Sequence, residues 1–170
     1  MSNSGAPHMA EGRIDARWFR RPWALLALAA TAGLCACGGG EPFQPRELAM
    51  ARVSTSWATT GLRQTYALRS DTEWRAAWQA HEPRTTPAAE RPVVDFSRQM
   101  VLGLTQGTGP NGCHGLSIRR VVEQADQVQV QYAVTLPTGS AACTEALVPL
   151  TDFVVVERLD KPVAFAQVSG

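Results

Sequence analysis

Hydrophobic and polar residues alternate with a period of two in several segments of the chain after residue 50. The alternation is clearest over 128–136, where the apolar positions are Val128, Val130, Tyr132, Val134 and Leu136. Such a pattern is typical of a β-strand that buries one face. Shorter versions of the pattern predict further strands at 51–57, 62–68, 116–123, 151–158 and 163–168.

The segment 99–106 differs from these strands because both of its faces are apolar. Its two faces carry Met100, Leu102 and Leu104 on one side and Val101 and Gly103 on the other. A strand with this composition is expected at the centre of a sheet that is covered on both sides.

The connections between the strands contain turn-forming residues. Ala125 and Asp126 predict a hairpin between the strands that flank them, and the turn at 160–162 predicts that the last two strands also form a pair. The glycine-rich stretch 107–115 is interpreted as a wide loop in which the glycines supply positive φ angles.

The period changes from two to about 3.6 after residue 69, which predicts one amphipathic helix over 71–81. Ser70 and Glu73 form a capping box at its start, and Pro83 follows its end. Its core-facing positions recur at i, i+3, i+4 and i+7 and are Trp74, Ala77, Trp78 and His81. The two tryptophans could form a platform for a carbohydrate, but this spacing favours a stripe facing the core. His81 is interpreted as a last-turn residue rather than a ligand.

About seven strands and one helix predict a β-rich α+β fold, an antiparallel sheet or sandwich that forms a single domain over 48–170. The composition fits this class, since 45% of the 170 residues are hydrophobic and 18% are charged. The 16 basic and 15 acidic residues leave no basic stripe, which excludes nucleic acid as a partner.

The N-terminal residues predict a secreted protein. Arg17, Arg20 and Arg21 precede an uncharged stretch at 22–34, as in a secretory signal peptide. A membrane-spanning helix is the alternative, because the uncharged residues continue to Gly40, but the second half of 22–40 is only weakly apolar. We therefore assign 1–36 to a signal peptide.

The end of the predicted signal peptide resembles the lipobox of bacterial lipoproteins. The tetrad Leu34-Cys35-Ala36-Cys37 ends in the cysteine that would be lipidated and become the first residue. The resemblance implies lipidation at Cys37, with Cys35 as the poorer acceptor, and a flexible anchored tether over 37–47. Gly38 after the acceptor implies an outer-membrane location facing the periplasm.

The two remaining cysteines, Cys113 and Cys143, are predicted to form a disulfide in this oxidising compartment. The bond would close a loop of about 30 residues and stabilise the fold by about 3–4 kcal/mol. Catalysis by Cys113 with His114 is the alternative, but adjacent residues of an extended chain point to opposite faces.

Motifs of catalysis and cofactor binding are weak. The stretch 107–112 matches G-x-G-x-x-G but leads into a strand pattern, whereas a dinucleotide loop must open a helix. Neither G-x-S-x-G nor H-E-x-x-H occurs. We therefore predict no enzyme activity, catalytic residue, metal or cofactor.

Three short segments together resemble the PrcB C-terminal-type domain, a family named for an accessory subunit of a bacterial surface protease complex. They are Thr72-Glu-Trp-Arg-Ala-Ala-Trp78, Pro92-Val-Val-Asp-Phe96 and Met100-Val-Leu-Gly-Leu104. The resemblance covers about 60–168 and implies a non-catalytic accessory or binding module. This chain has Asn111-Gly-Cys-His114 where family members tend to have Thr-Gly-Gly-Tyr.

The main functional hypothesis is a lipid-anchored envelope module that binds or stabilises another envelope protein, such as a peptidase. Its candidate binding loop contains Gly109, Asn111 and His114. A protease inhibitor on an immunoglobulin-like sandwich is the second hypothesis, with 107–115 entering a peptidase cleft. A small periplasmic hydrolase is the third.

Overall fold

The chain forms eight strands and one helix in residues 42–83, 85–139 and 142–169, the part that the computed structural model describes. In chain order these are β1 Arg46–Leu48, β2 Ala51–Arg52, β3 Arg63–Leu68, α1 Asp71–Ala80, β4 Gln99–Gly109, β5 Gly115–Glu123, β6 Val128–Thr135, β7 Val148–Glu157 and β8 Val163–Gln167. The predicted signal peptide and the lipidation site Cys37 lie outside the described residues.

The strands form two four-stranded sheets, which confirms the predicted β-rich α+β sandwich. Sheet I has the order β1-β5-β6-β8, and sheet II has the order β2-β7-β4-β3. Neighbouring strands are antiparallel except β6 and β8, which are parallel. The predicted hairpin on either side of Ala125 and Asp126 is present as β5 and β6.

Sheet II is the middle layer between sheet I and α1. Met100, Leu102 and Leu104 of β4 are fully buried in the core between the sheets. Val101 is fully buried on the opposite face, among the residues that contact α1. The prediction that this strand is covered on both sides is therefore confirmed.

Gly103 of β4 makes room for an aromatic ring beneath the helix. A Cβ atom at this position would lie 2.8 Å from Cγ of Phe153, closer than real Cβ contacts allow. Phe153 is fully buried, and its ring centroid lies 4.9 Å from that of Trp57 and 5.5 Å from that of Trp74. The missing side chain thus lets the helix-side core form around one phenylalanine.

The helix starts at the predicted residue, Asp71, and ends at Ala80, one residue before the predicted end. The backbone N–H of Glu73 donates to Oγ of Ser70 at 3.3 Å, and the Glu73 carboxylate accepts from the N–H of Arg69 at 2.8 Å. His81 is the C-cap residue. Trp74 and Trp78 are buried against sheet II, which confirms the core-facing interpretation.

The predicted strand at 51–57 is wrong beyond its first two residues. Only Ala51–Arg52 pairs with β7, followed by one more bond from the N–H of Val53 to the carbonyl of Phe153. Val53 and Trp57 are buried in the helix-side core although they are not in a strand. Their spacing reflects burial of an irregular segment, which a period-two pattern cannot distinguish from a strand.

The predicted pairing of the last two strands is also wrong. β7 belongs to sheet II and β8 to sheet I, where β8 runs parallel to β6. The 158–162 connection crosses between the sheets, and the carbonyl of Pro162 accepts from the N–H of Val128 at 2.8 Å. Two neighbouring strands in the sequence therefore pair with different partners.

The glycine-rich stretch 107–115 is only partly a loop, because β4 continues to Gly109. The register between β4 and β7 shifts between Thr105 and Thr108, where Gly107 has a φ of 88°. Gly107 is the only glycine of this fully described stretch with a positive φ. Gly107 thus supplies a positive φ angle as predicted, but at an irregularity inside β4 and not in a loop.

β1 begins at Arg46, inside the stretch assigned to the tether, and was not predicted. Arg46–Leu48 pairs with the end of β5. A strand of three residues is too short to show alternation.

A buried carboxylate joins the two sheets where the chain passes from β1 to β2. The Asp152 carboxylate accepts from the N–H of Ile118 at 2.7 Å and forms an ion pair with Arg52. The Arg52 guanidinium also donates to the carbonyl of Ile118 at 2.7 Å. Since β1 reaches β5 only at Val121 and beyond, these two side chains replace a neighbouring strand at Ile118.

We predict that Asp152→Ala lowers the free energy of unfolding by about 2–4 kcal/mol, because it leaves a buried N–H and a cation without their acceptor. Chemical denaturation measures this loss. Asp126→Ala is the matched control, since Asp126 is exposed in the hairpin turn, and we expect a change within about 0.5 kcal/mol. Equal effects of the two variants would contradict the structural role of Asp152.

Candidate binding surface

The predicted binding loop lies at one end of the sandwich, where two connections cross between the sheets. The segment 110–114 leads from β4 to β5, and 136–147 leads from β6 to β7. They lie at the same end because Gly109 pairs with Val148 and Gly115 pairs with Thr135. We call these two segments the disulfide end.

A disulfide joins the two crossing segments, as the sequence predicts. Cys113 and Cys143 are bonded, with their Cα atoms 5.4 Å apart. The N–H of Gly112 also donates to the carbonyl of Thr144 at 2.9 Å. The two connections are thus linked by a covalent bond and a backbone hydrogen bond.

Asn111 and His114 form a hydrogen-bonded pair within the first segment. Oδ1 of Asn111 accepts from the N–H of Cys113 at 3.1 Å and lies 2.8 Å from Nδ1 of His114. Because an amide oxygen only accepts hydrogen bonds, Nδ1 of His114 is the donor in this contact. The hydrogen bond fixes the orientation of the imidazole ring at the disulfide end.

Gly109 is the last residue of β4 and not part of the loop. Its missing side chain lets His114 and Val148 pack closely against the backbone. A Cβ atom on Gly109 would lie 2.6 Å from Cβ of His114 and 2.9 Å from Cγ2 of Val148. The structure therefore brings together Gly109, Asn111 and His114, the three residues predicted for the binding loop. Their role in binding stays a prediction.

Three exposed leucines lie in or next to the disulfide end, and the sequence pattern does not predict their exposure. Leu136 is 61% exposed and Leu147 is 66% exposed, one at each end of the second crossing segment. Leu62 is 44% exposed just before β3, at the same end of sheet II. The alternation over 128–136 predicted that Leu136 faces inward, but β6 ends at Thr135. Exposed apolar side chains that share one end of a protein mark a candidate interaction surface.

The opposite end of the sandwich is charged and receives the N-terminal segment. Arg46 forms ion pairs with Glu123, at 2.6 Å, and with Glu157. Lys161 lies 2.8 Å from Glu123, and its Nζ lies 4.3 Å from the ring centroid of Phe43. Hydrogen bonds from Lys161 and Arg46 lower the pKa of Glu123. We call this the N-terminal end.

A second histidine is buried inside the helix-side core. Nε2 of His81 lies 2.8 Å from the hydroxyl of Tyr66, and the His81 side chain is fully buried. Burial lowers the pKa of His81 and raises that of Tyr66, so both groups are neutral at neutral pH. This agrees with the structural interpretation of His81 at the helix end.

The described ranges contain no cluster of His, Cys, Asp and Glu that could hold a metal ion. A groove of about 560 Å³ lies at the N-terminal end, where Met50, Arg98 and Glu157 are among its lining residues. No helix of the described part has the length and apolar character needed to cross a membrane.

Known proteins add nothing to this description. Comparisons with protein-family models, with curated proteins and with solved structures find no match to this chain. The resemblance of 60–168 to the PrcB C-terminal-type family therefore stays a prediction.

We predict that replacing both cysteines, Cys113→Ser with Cys143→Ser, lowers the free energy of unfolding by about 3–4 kcal/mol, because the unfolded chain gains freedom. Chemical denaturation measures the change, and the reduced wild-type protein is the control that should match the variant. Alkylation of Cys113 and Cys143 in oxidised, denatured wild-type protein, detected by mass spectrometry, would contradict the prediction.

Proposed function

We propose that the protein is a lipid-anchored, non-catalytic module of the bacterial cell envelope that binds and stabilises another envelope protein, such as a peptidase. The disulfide end is the observation that carries this proposal. Its two segments are covalently joined, and they carry the exposed Leu136 and Leu147 and the Asn111–His114 pair. A surface fixed in this way loses little conformational freedom on binding.

The position of the N-terminal segment supports a protein partner for the disulfide end. β1 is antiparallel to β5, so Arg46 lies beside Glu123, at the other end of β5 from Gly115. The length of β5 separates these ends by about 27 Å. A lipid on Cys37 would attach the chain to the membrane near the N-terminal end. The disulfide end is then the part of the domain farthest from the point of attachment.

The loop geometry favours docking over inhibition of a peptidase by insertion into its cleft. The carbonyl of Asn111 accepts from the N–H of His114 at 3.1 Å, and the N–H groups of Gly112 and Cys113 also bond within the disulfide end. An inserted loop offers extended backbone groups to the enzyme. Here these groups are already bonded, so we favour a stabilising partner over an inhibitor.

We predict that Cys37→Ser abolishes labelling of the protein by a radioactive fatty acid, because the lipid acceptor is lost. Cys35→Ser is the matched control and should retain the label, since Cys35 is removed with the signal peptide. Mass spectrometry of the mature N-terminus identifies the acceptor directly. Lipid on the Cys37→Ser protein would contradict the assignment and favour Cys35.

We predict that a photo-crosslinking amino acid at Leu147 of the full chain captures an envelope protein in intact cells. Val93 is the control position, because it is fully exposed and apolar but lies near the start of β4, at the N-terminal end. Adducts at Leu147 and none at Val93 support the proposal. Adducts at Val93 alone, or at both positions equally, would contradict it.

The captured protein also decides between stabilisation and inhibition. If it is a peptidase, adding this protein should preserve its activity over time. A prompt loss of activity on mixing would overturn the stabilising role and favour the inhibitor hypothesis.

A further inference from the structure

Strand β8 forms an open edge of sheet I. The N–H of Val128 donates to the carbonyl of Pro162, and the N–H of Val168 donates to the carbonyl of Tyr132, both at 2.8 Å. Because successive residues of a strand point their backbone groups to opposite sides, the groups of Val163, Phe165 and Gln167 point away from β6. No described residue donates to these groups or accepts from them.

The other described edges of the sheets are short, charged or covered. β1 has three residues and includes Arg46 and Glu47, and β2 has two residues. The part of β5 that β1 leaves uncovered is bonded at Ile118 by the side chains of Asp152 and Arg52. β3 carries the exposed Arg63. Such features prevent pairing with another chain, and β8 has neither a charge nor a proline.

The side chains of β8 leave its edge accessible. Val163 and Phe165 pack against the core between the sheets. Ala164 and Ala166 therefore lie on the outer face of sheet I, where their small side chains do not obstruct a neighbouring strand.

We propose that a second copy of this chain pairs with β8, antiparallel and centred on Phe165. Val163 of one copy then lies opposite Gln167 of the other, and the two Phe165 residues lie opposite each other. All outward N–H and C=O groups of the strand meet a partner in this register. The arrangement has two-fold symmetry, so it uses the open edge of both copies and stops at a dimer.

We choose a second copy as the partner because the outward backbone groups of β8 match those of another β8 strand in this register. β8 is neutral, so the pairing brings no like charges into opposition along the strand. Ala164 of one copy lies opposite Ala166 of the other, which makes this pair the place to test the register. The pairing does not depend on the disulfide end or on its partner.

A charge-swap experiment tests the proposal in the full chain, purified in a non-ionic detergent and analysed by sedimentation velocity. In Ala164→Lys with Ala166→Lys, both cross-strand positions oppose two lysines, and we expect the dimer dissociation constant to rise about tenfold. In Ala164→Lys with Ala166→Glu, lysine lies opposite glutamate twice, and we expect dimerisation to return to the wild-type level or above.

The control adds the same two charges elsewhere. Ala88→Lys with Val93→Lys changes exposed residues of the 82–98 connection, on the helix side of sheet II, and should leave dimerisation unchanged. A wild-type chain that stays monomeric at its highest soluble concentration would overturn the proposal. The edge of β8 would then be a site for a strand of another protein. Equal weakening by both β8 variants would overturn the register.

Discussion

The bond between the Asp152 carboxylate and the backbone of Ile118 is the interaction on which the sandwich depends. The chain changes sheets between Leu48 and Ala51, so neither β1 nor β2 extends along Ile118. Asp152 and Arg52 satisfy the backbone groups that would otherwise be buried without partners. Sheets I and II can therefore close against each other at this edge.

The sequence predicts those elements whose cause is local. The helix has its own cap at Ser70 and its own apolar stripe, and β4 shows burial on both faces through consecutive apolar residues. The Cys113–Cys143 bond is predicted from the expected oxidising compartment and from the two cysteines that the predicted processing would leave. Each of these features is encoded within a short segment or by a residue count.

The features that the sequence does not predict depend on contacts between distant segments. β1 is too short to show a period, and the alternation over 51–57 does not show that β2 ends at Arg52; the extent of both strands depends on their pairing with β5 and β7. The parallel pairing of β8 with β6 depends on how the 158–162 connection crosses the core. Leu136 continues the alternation of β6 but lies one residue beyond the end of the strand, so its exposure depends on where pairing stops.

The two proposals together constrain how the protein sits on a membrane. β6 runs from the N-terminal end to the disulfide end, and β8 runs parallel to it, so antiparallel pairing of β8 places the N-terminal ends of two copies at opposite ends of the dimer. If both chains carry the proposed lipid on Cys37, the two lipids would be nearest to one bilayer with the strands lying along its surface. The eight residues 38–45 between Cys37 and β1 span at most about 28 Å. A single copy is free to stand with its disulfide end away from the membrane. In a dimer paired through β8, the two disulfide ends would therefore point along the membrane surface. In a monomer the disulfide end would point away from the membrane, so monomer and dimer would present this surface to different partner proteins.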